Sequence, residues 1–170
     1  DNAIAYLASG NNQITINTDV TLNRLIVAGT GTPNGTNYEI SASNSSVLTL
    51  KAIAGGSKPQ VISFSKGGAA LKFMSGTKVV LAGDNANHVM KFNPTTGTVS
   101  FLDGSELTVS AGKNFNIQST DGSTCHIYFK GTIKGSGDIK FFLTVSVLLC
   151  FSLSCSPRFF FVSFGWARAR

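Results

Sequence analysis

The chain has 170 residues, of which 42% are hydrophobic and only 13% are charged, about half the charged share of an average soluble domain. This length fits one domain that can bury a core without disulfides or metals, and low charge with abundant Gly, Ser, Thr and Asn is typical of extracellular β-structure. Half of the net charge of +6 comes from Arg158, Arg168 and Arg170, and the lysines of the remaining chain are scattered singly, which argues against the clustered basic stripe of a nucleic-acid-binding protein.

From Gln13 onward, short apolar runs alternate residue by residue with polar side chains, which is the period of a half-buried strand. The runs are rich in β-branched and aromatic residues that suit a pleated surface. Their apolar members are Ile14/Ile16, Val20/Leu22, Leu48/Leu50/Ala52/Ala54, Ile62/Phe64, Leu71/Phe73, Val79/Leu81, Met90/Phe92, Val99/Phe101, Leu107/Val109/Ala111, Phe115/Ile117 and Ile127/Phe129. The body of the chain shows no sustained helical stripe, so we expect almost no helix there.

Clusters of Gly, Asn, Asp and Pro separate the apolar runs and mark chain reversals or corners. They occupy residues 29–35, 55–59, 83–85, 93–97, 103–105 and 121–123. Four apolar segments end in Gly at positions 29, 55, 83 and 112, so their spacings are 26, 28 and 29 residues. A period of this length is typical of repeats that stack on one another and bury a continuous core.

The alternation and the spacing together predict an all-β fold, a parallel β-helix of about five rungs over residues 13–141. Its inward row would hold Leu, Val, Ile and Phe, and outward Thr, Ser and Asn would form polar ladders. The alternative is an antiparallel β-sandwich, because short strands every ten residues or so also fit that class.

Three segments resemble the autotransporter-associated β-strand repeats of Gram-negative surface proteins. Thr132–Ile139 is similar to the G-x-I-x-G-S-G-x-[LI] opening of that repeat, Asp19–Leu25 to an early passenger strand, and Leu107–Ile117 to an L-x-V-x-A-G-x-x-F-x-I rung. The resemblance covers residues 13–141 and implies a right-handed β-helix passenger that is exposed on, or released from, the cell. The sequence departs from the repeat after Lys140, where an apolar Phe-Phe-Leu-Thr-Val run replaces the usual T-G-x-G-x-L-x-L strand.

Residues 141–170 differ in composition from residues 1–140, so we divide the chain into a passenger-like solenoid domain, 1–140, and an apolar Phe-rich tail, 141–170. The tail holds seven of the 13 Phe, the only Trp and no acidic residue. Three interpretations stay open: a segment translated out of frame, a segment that associates with a membrane, and a strand pair that caps the solenoid. Because Asp1 is not Met, we expect a mature protein or a processed fragment.

Chemistry-bearing residues are few and do not form recognised motifs. We interpret His88 and His126 as polar residues at strand edges or turns, and adjacent Cys125 and His126 would point to opposite faces of a strand. The acids Asp103 and Glu106 flank one turn, and stacking of turns could bring Asp84, Asp103 and Asp121 together. Such a cluster would support the alternative function, a β-helix lyase or hydrolase acting on polysaccharide.

The sequence therefore predicts a non-enzymatic structural or adhesin-like segment of an autotransporter-type passenger, located outside the cell or on the outer-membrane surface. We predict no catalytic residue, no cofactor and no metal; Gly135–Asp138 matches part of a calcium-binding nonapeptide only once, whereas that motif acts in tandem. The expected partner is a host or glycan surface ligand. Nucleic acid is not expected, and membrane contact is expected only through the tail.

Overall fold

A computed structural model shows a β-solenoid of about four turns. The structure describes residues 3–8, 12–29, 36–52, 59–92, 96–119, 125–142, 147–151 and 162–164. Every strand pairing is parallel, and none of the described residues is helical. The predicted β-helix is confirmed, and the antiparallel sandwich is excluded because its strands would pair in opposite directions.

The strands follow one another in a fixed order around the solenoid. They are β1 (Ile4–Leu7), β2 (Asn12–Ile16), β3 (Val20–Leu22), β4 (Arg24–Ala28), β5 (Thr36–Ala42), β6 (Val47–Lys51), β7 (Gln60–Lys66), β8 (Ala69–Phe73), β9 (Lys78–Ala82), β10 (Asn87–Phe92), β11 (Gly97–Phe101), β12 (Glu106–Val109), β13 (Asn114–Ser119), β14 (Cys125–Phe129), β15 (Thr132–Gly135), β16 (Asp138–Phe142), β17 (Val147–Phe151) and β18 (Val162–Phe164).

Three sheets form the sides of the solenoid. The first sheet has seven strands in the order β1-β4-β7-β10-β13-β16-β18, the second has six in the order β2-β5-β8-β11-β14-β17, and the third has five in the order β3-β6-β9-β12-β15. We call three consecutive strands, one from each sheet, a rung. The five strands of the third sheet correspond to the five predicted rungs, whereas the right-handed winding stays a prediction.

The core consists of columns in which equivalent residues of successive rungs stack on one another. One column of the second sheet runs Ile14, Ile40, Phe73, Phe101 and Phe129. The rings of Phe73 and Phe101 are stacked with centroids 4.6 Å apart, and those of Phe101 and Phe129 are 5.1 Å apart. Because side chains alternate across a strand, the apolar half of each predicted run enters such a column, except that Ala111 is exposed beyond the end of β12 and Ala54 lies outside the described residues.

The corner between the first and second sheets matches large residues with small ones. The last inward position of the first sheet holds Val27, Phe64, Phe92 and Ser119 in successive rungs. The first position of the second sheet holds Thr36, Ala69, Gly97 and Cys125. The small residues leave room for the Phe64–Phe92 stack, whose ring centroids are 4.6 Å apart.

The corner between the second and third sheets is a stacked turn with a buried hydroxyl. Ser46, Thr77 and Ser105 each donate a backbone N–H to the carbonyl three residues earlier, and all three are buried. Ser105 Oγ donates to the Leu102 carbonyl at 2.7 Å, and Ser46 Oγ donates to the Ser43 carbonyl at the same distance. Each of these two hydroxyls adds a second hydrogen bond to a corner carbonyl that also accepts a backbone N–H of the turn.

The repeat inferred from the terminal glycines needs one correction. Gly83 and Gly112 follow β9 and β12 of the third sheet, but Gly29 follows β4 of the first sheet. The third-sheet strand of the preceding rung is β3, which is followed by Asn23 and not by a glycine. Gly55 lies outside the described residues.

The predicted boundary after Lys140 falls within β16, and Phe141 is buried in the core. Two tail segments, β17 and β18, add parallel strands to the second and first sheets respectively. Both strands extend existing sheets of the solenoid, and the three interpretations of the tail stay predictions. No helix long and apolar enough to cross a membrane occurs in the described part of the chain. The division into two domains stays a prediction.

Candidate binding face

The outward side of the second sheet presents the most regular row of polar side chains. Gln13, Glu39, Lys72, Ser100 and Tyr128 occupy equivalent positions in five successive rungs. Neighbouring strands of a sheet lie about 4.8 Å apart, so this row spaces polar groups at that interval along the solenoid, although Ser100 is itself buried. A second outward row beside it contains Asn37, Ala70, Thr98 and His126. We call these two rows the polar face.

An ion pair fixes the centre of the polar face. Lys72 Nζ lies 3.0 Å from Glu39 Oε1, and both side chains are only partly exposed. The hydrogen bond and the positive charge of Lys72 lower the pKa of the Glu39 carboxyl, and a hydrogen bond from Gln13 adds to this effect. Glu39 is therefore held as a carboxylate, which can only accept hydrogen bonds.

A shallow open groove of about 430 Å³ lies at the N-terminal part of the polar face. It is lined by Asn12, Gln13, Asn37 and Glu39. Amide side chains both donate and accept hydrogen bonds, so the groove suits an uncharged polar ligand with paired hydroxyl or amide groups.

The outward side of the third sheet is a less regular polar ladder. Thr21, Thr49, Val80, Thr108 and Lys134 follow one another, and Val80 interrupts the threonines. Beside them, Lys134 Nζ lies 2.6 Å from Glu106 Oε2. The predicted outward ladders of Thr, Ser and Asn therefore exist, but charged and apolar residues interrupt them.

His88 is not at an edge or a turn, as its interpretation from sequence had it. It occupies an inward position of β10, paired with Phe115 of the next rung, and it is fully buried. Its Nε2 lies 2.6 Å from the Ala82 carbonyl, and Nδ1 has no partner among the described residues. Burial is the main cause that lowers the pKa of His88, and the positive charge of Lys113 lowers it further. The imidazole is thus a neutral core group without access to a ligand.

Cys125 and His126 point to opposite sides of β14, as the alternation predicts. Cys125 is fully buried in the corner column, whereas His126 is half-buried on the polar face. Burial raises the pKa of the Cys125 thiol to about 11, although a hydrogen bond with Ser119 opposes this shift. Since the thiolate is the nucleophile, burial and the raised pKa both disfavour reaction of Cys125 in the folded chain.

Three asparagines form a hydrogen-bonded cluster where the third sheet turns into the first. Asn87 Oδ1 accepts hydrogen bonds from Asn114 Nδ2 at 3.2 Å and from Asn116 Nδ2 at 3.0 Å. Asn116 is buried, and its Oδ1 has no partner among the described residues. Below the cluster Lys113 Nζ donates to the Gly83 carbonyl at 2.6 Å. These contacts join successive corners, so the cluster is part of the scaffold.

The structure places Asp84 and Asp103 at different corners of the solenoid. Asp84 follows β9 at the corner between the third and first sheets, whereas Asp103 follows β11 at the corner between the second and third sheets. Asp121 lies outside the described residues. Glu106, the sequence neighbour of Asp103, pairs with Lys134. Within the described ranges no group of three or more His, Cys, Asp or Glu side chains could hold a metal ion.

No site residue was predicted from the sequence, and the polar face is not recognisable there as a unit. Its members lie 26 to 33 residues apart, since Gln13 pairs with Glu39 and Glu39 pairs with Lys72. The signal in the sequence is the polar residue between two apolar ones in each run, but only the register shows which of these residues are neighbours.

Comparison with known proteins identifies no relative of this chain. No family model, no curated protein and no solved structure matches the chain. The class of protein that fold and site define is therefore a β-solenoid with a polar outer face.

Proposed function

We propose that this chain is a non-enzymatic, adhesin-like segment of a surface-exposed bacterial passenger of the autotransporter type, and that its polar face binds an extended polymer of a host or glycan surface. The observation that carries the proposal is the row from Gln13 to Tyr128, which repeats polar groups over five rungs. A ligand with its own repeat, such as a polysaccharide, can contact several rungs at once.

The chemistry of the face suits a neutral or weakly charged polymer. Glu39 and Lys72 neutralise each other at its centre, so the face does not select strongly for either sign of charge. Amides at one end and the half-buried Tyr128 at the other supply hydrogen bonds and an aromatic surface. Many contacts of small energy along a line produce avidity without a deep pocket.

Two further observations support a surface location and a role without catalysis. The low charged fraction and the repeat segments that resemble autotransporter passengers are typical of exported solenoids. The two side chains best suited to nucleophilic or acid–base chemistry, Cys125 and His88, are fully buried and serve packing. No arrangement of the described acids favours the alternative polysaccharide lyase or hydrolase.

The test is binding of the purified chain to a panel of immobilised polysaccharides and host matrix preparations. We expect binding that Lys72→Ala and Tyr128→Ala each weaken. The matched control is Thr108→Ala, an outward change on the third sheet, which should leave binding unchanged. Absence of binding across the panel, or equal loss in the control, would contradict the proposal.

A cleavage assay on the same polysaccharides separates the binding role from the enzyme. Incubation across pH 4–9 should release no reducing ends and no unsaturated products. A pH-dependent cleavage that Glu39→Gln or Asp103→Asn abolishes would replace the proposal with the enzymatic alternative.

A further inference from the structure

The polar side chains of the second sheet are not all available to a ligand. In the N-terminal half of the polar face, Glu39 accepts hydrogen bonds from Lys72 and from Gln13. Beside them, Thr15 Oγ1 lies 3.3 Å from Ser41 Oγ. These groups satisfy one another, so a ligand that binds there has to replace hydrogen bonds that already exist.

Four polar side chains on the outward side of β11 and β14 are not engaged in this way. The register pairs Thr98 with His126 and Ser100 with Tyr128, and we call these four residues the β11–β14 cluster. Within the described ranges, none of the four side chains forms a hydrogen bond or an ion pair with another residue. Their donors and acceptors can therefore be exchanged between water and a ligand.

The sizes of the side chains give the cluster a floor and a wall. Ala70 of β8 pairs with Thr98 of β11, so the second outward row is formed by small side chains over these two strands. Ser100 belongs to the same low surface, and it is only 7% exposed although it lies on the outward side. The next strand, β14, carries the rings of His126 and Tyr128, both half-buried. The rings therefore rise beside a floor of small side chains.

The charges around the cluster favour an uncharged ligand. β8, β11 and β14 read AALKF, GTVSF and CHIYF and contain no Asp or Glu. Their one lysine, Lys72, is directed toward Glu39 of β5, away from Ser100 of β11. A sugar ring has the complementary chemistry, because its C–H groups form an apolar face that fits an aromatic ring and its hydroxyls donate and accept hydrogen bonds.

We propose that the β11–β14 cluster is the primary subsite of the polar face and binds one uncharged sugar ring of the polymer. The sugar ring stacks on Tyr128, and its hydroxyls form hydrogen bonds with Thr98, Ser100 and His126. This inference rests on the proposed function and goes further, because it names the chemical class of the ligand and the place of the main contact. The N-terminal half of the face then adds contacts only to a longer chain.

The first test is NMR of the full chain with isotope-labelled tyrosine rings, titrated with the methyl glycosides of glucose, galactose, mannose and N-acetylglucosamine. The chain has three tyrosines, and two of them are internal controls, since Tyr38 is fully buried and Tyr6 is 58% exposed on the first sheet. We expect at least one glycoside to shift the Tyr128 signal saturably and to leave the other two unchanged. Equal shifts of Tyr6 and Tyr128 would overturn the proposal, because the glycoside would then contact any exposed aromatic ring.

A variant that fills the floor of the cluster provides the second test. Ser100→Gln should weaken glycoside binding by at least about tenfold, because the longer side chain occupies the space beside Tyr128. The matched control is Thr49→Gln, the same replacement at an outward position of the third sheet, which should leave the titration unchanged. Equal binding by both variants would overturn the proposal. If Ser100→Gln does not fold, the titration of the unmodified chain still decides.

Binding of the unmodified chain to the immobilised polysaccharides separates this inference from the proposed function. If a polysaccharide binds and Lys72→Ala weakens it, but no glycoside shifts the Tyr128 signal, the polar face is the binding site and the proposed subsite is wrong. If neither polysaccharide nor glycoside binds, both proposals are wrong. A saturable Tyr128 shift together with polysaccharide binding supports both.

Discussion

The ring of Phe92 lies directly against the backbone of Gly97, five residues further along the chain. A Cβ atom at residue 97 would be 2.7 Å from Cδ1 of this ring and 3.2 Å from Cδ1 of Phe64. The two rings are stacked on each other, so neither can move without disturbing the other. The absence of a side chain at Gly97 is therefore a packing requirement of this corner.

Gly97→Ala should consequently destabilise the fold by about 1–3 kcal/mol, the usual cost of overpacking a core. Denaturant unfolding of the variant provides the measurement. The neighbouring outward substitution Thr98→Ala should stay within about 0.5 kcal/mol of the unmodified chain. A double variant, Phe92→Leu with Gly97→Ala, should lose less than the sum of the two single losses, because the smaller side chain accepts the methyl group. Strict additivity would contradict this account.

The buried imidazole of His88 should make the fold sensitive to acid. Burial lowers the pKa of His88 in the folded chain, whereas the unfolded chain binds the proton near the ordinary value of about 6.5. The unfolded state therefore binds more protons at acidic pH, so the contribution is fully present above about pH 6.5 and is lost as the pH falls toward the folded-state pKa. Unfolding free energies measured from pH 8 to pH 5 should show this decrease.

Two histidine variants separate that effect from general acid sensitivity. His88→Leu should flatten the pH dependence between pH 7 and pH 5, because it removes the buried titrating group. His126→Leu, a change on the half-buried outer side of β14, should retain it. If both variants follow the unmodified chain, His88 is not the source.

The Cys125 thiol should not react with alkylating reagents in the folded state. It is fully buried, and burial raises its pKa to about 11, so little thiolate forms at pH 8. In a Cys150→Ser, Cys155→Ser background, modification should occur only in denaturant, as followed by mass spectrometry. A cysteine introduced at Thr98 on the outer face should react in the native protein. Rapid native labelling of Cys125 would show that this corner opens readily.

The stacked turns depend on their buried hydroxyls. Ser105 Oγ donates to the Leu102 carbonyl at 2.7 Å, which also accepts the backbone N–H of Ser105 at 2.9 Å. Ser105→Ala removes one of these two hydrogen bonds and should cost about 0.5–1.5 kcal/mol of unfolding free energy in thermal or denaturant unfolding. Asp103→Ala, at an exposed position of the same turn, should cost far less. An equal loss of unfolding free energy in both variants would indicate that the stability of the turn does not depend on this hydrogen bond.

The sequence was sufficient to predict the strands because alternation is a local property. Ile62 and Phe64, or Leu71 and Phe73, show the period of two within a few residues. The parallel stacking also followed from the approximate repeat. Neither inference required contacts between distant residues.

The register between rungs was not predictable in the same way. Glu39 and Lys72 are 33 residues apart, whereas Thr77 and Ser105 are separated by 28, so no single period aligns the whole chain. Gly29 was assigned to the wrong corner because a glycine follows apolar strands in more than one sheet. His88 was interpreted as an edge or turn residue because no catalytic motif surrounds it, although it lies two residues before Met90 and four before Phe92 and therefore shares their inward side of the strand.

Thr77 and Ser105 occupy equivalent positions in successive rungs, so the chain between them has the length of one circuit of the solenoid. Glu106 pairs with Lys78 in the register, so residues 78–105 contain one complete circuit of the solenoid. Excision of that segment would join Thr77 to Glu106 and return the columns of the third sheet to chemically similar neighbours, with Leu48 against Leu107 and Leu50 against Val109. Duplication of the same segment would add one circuit to the solenoid. Length in this fold can therefore change in whole circuits by in-frame genetic events, without a new core having to evolve.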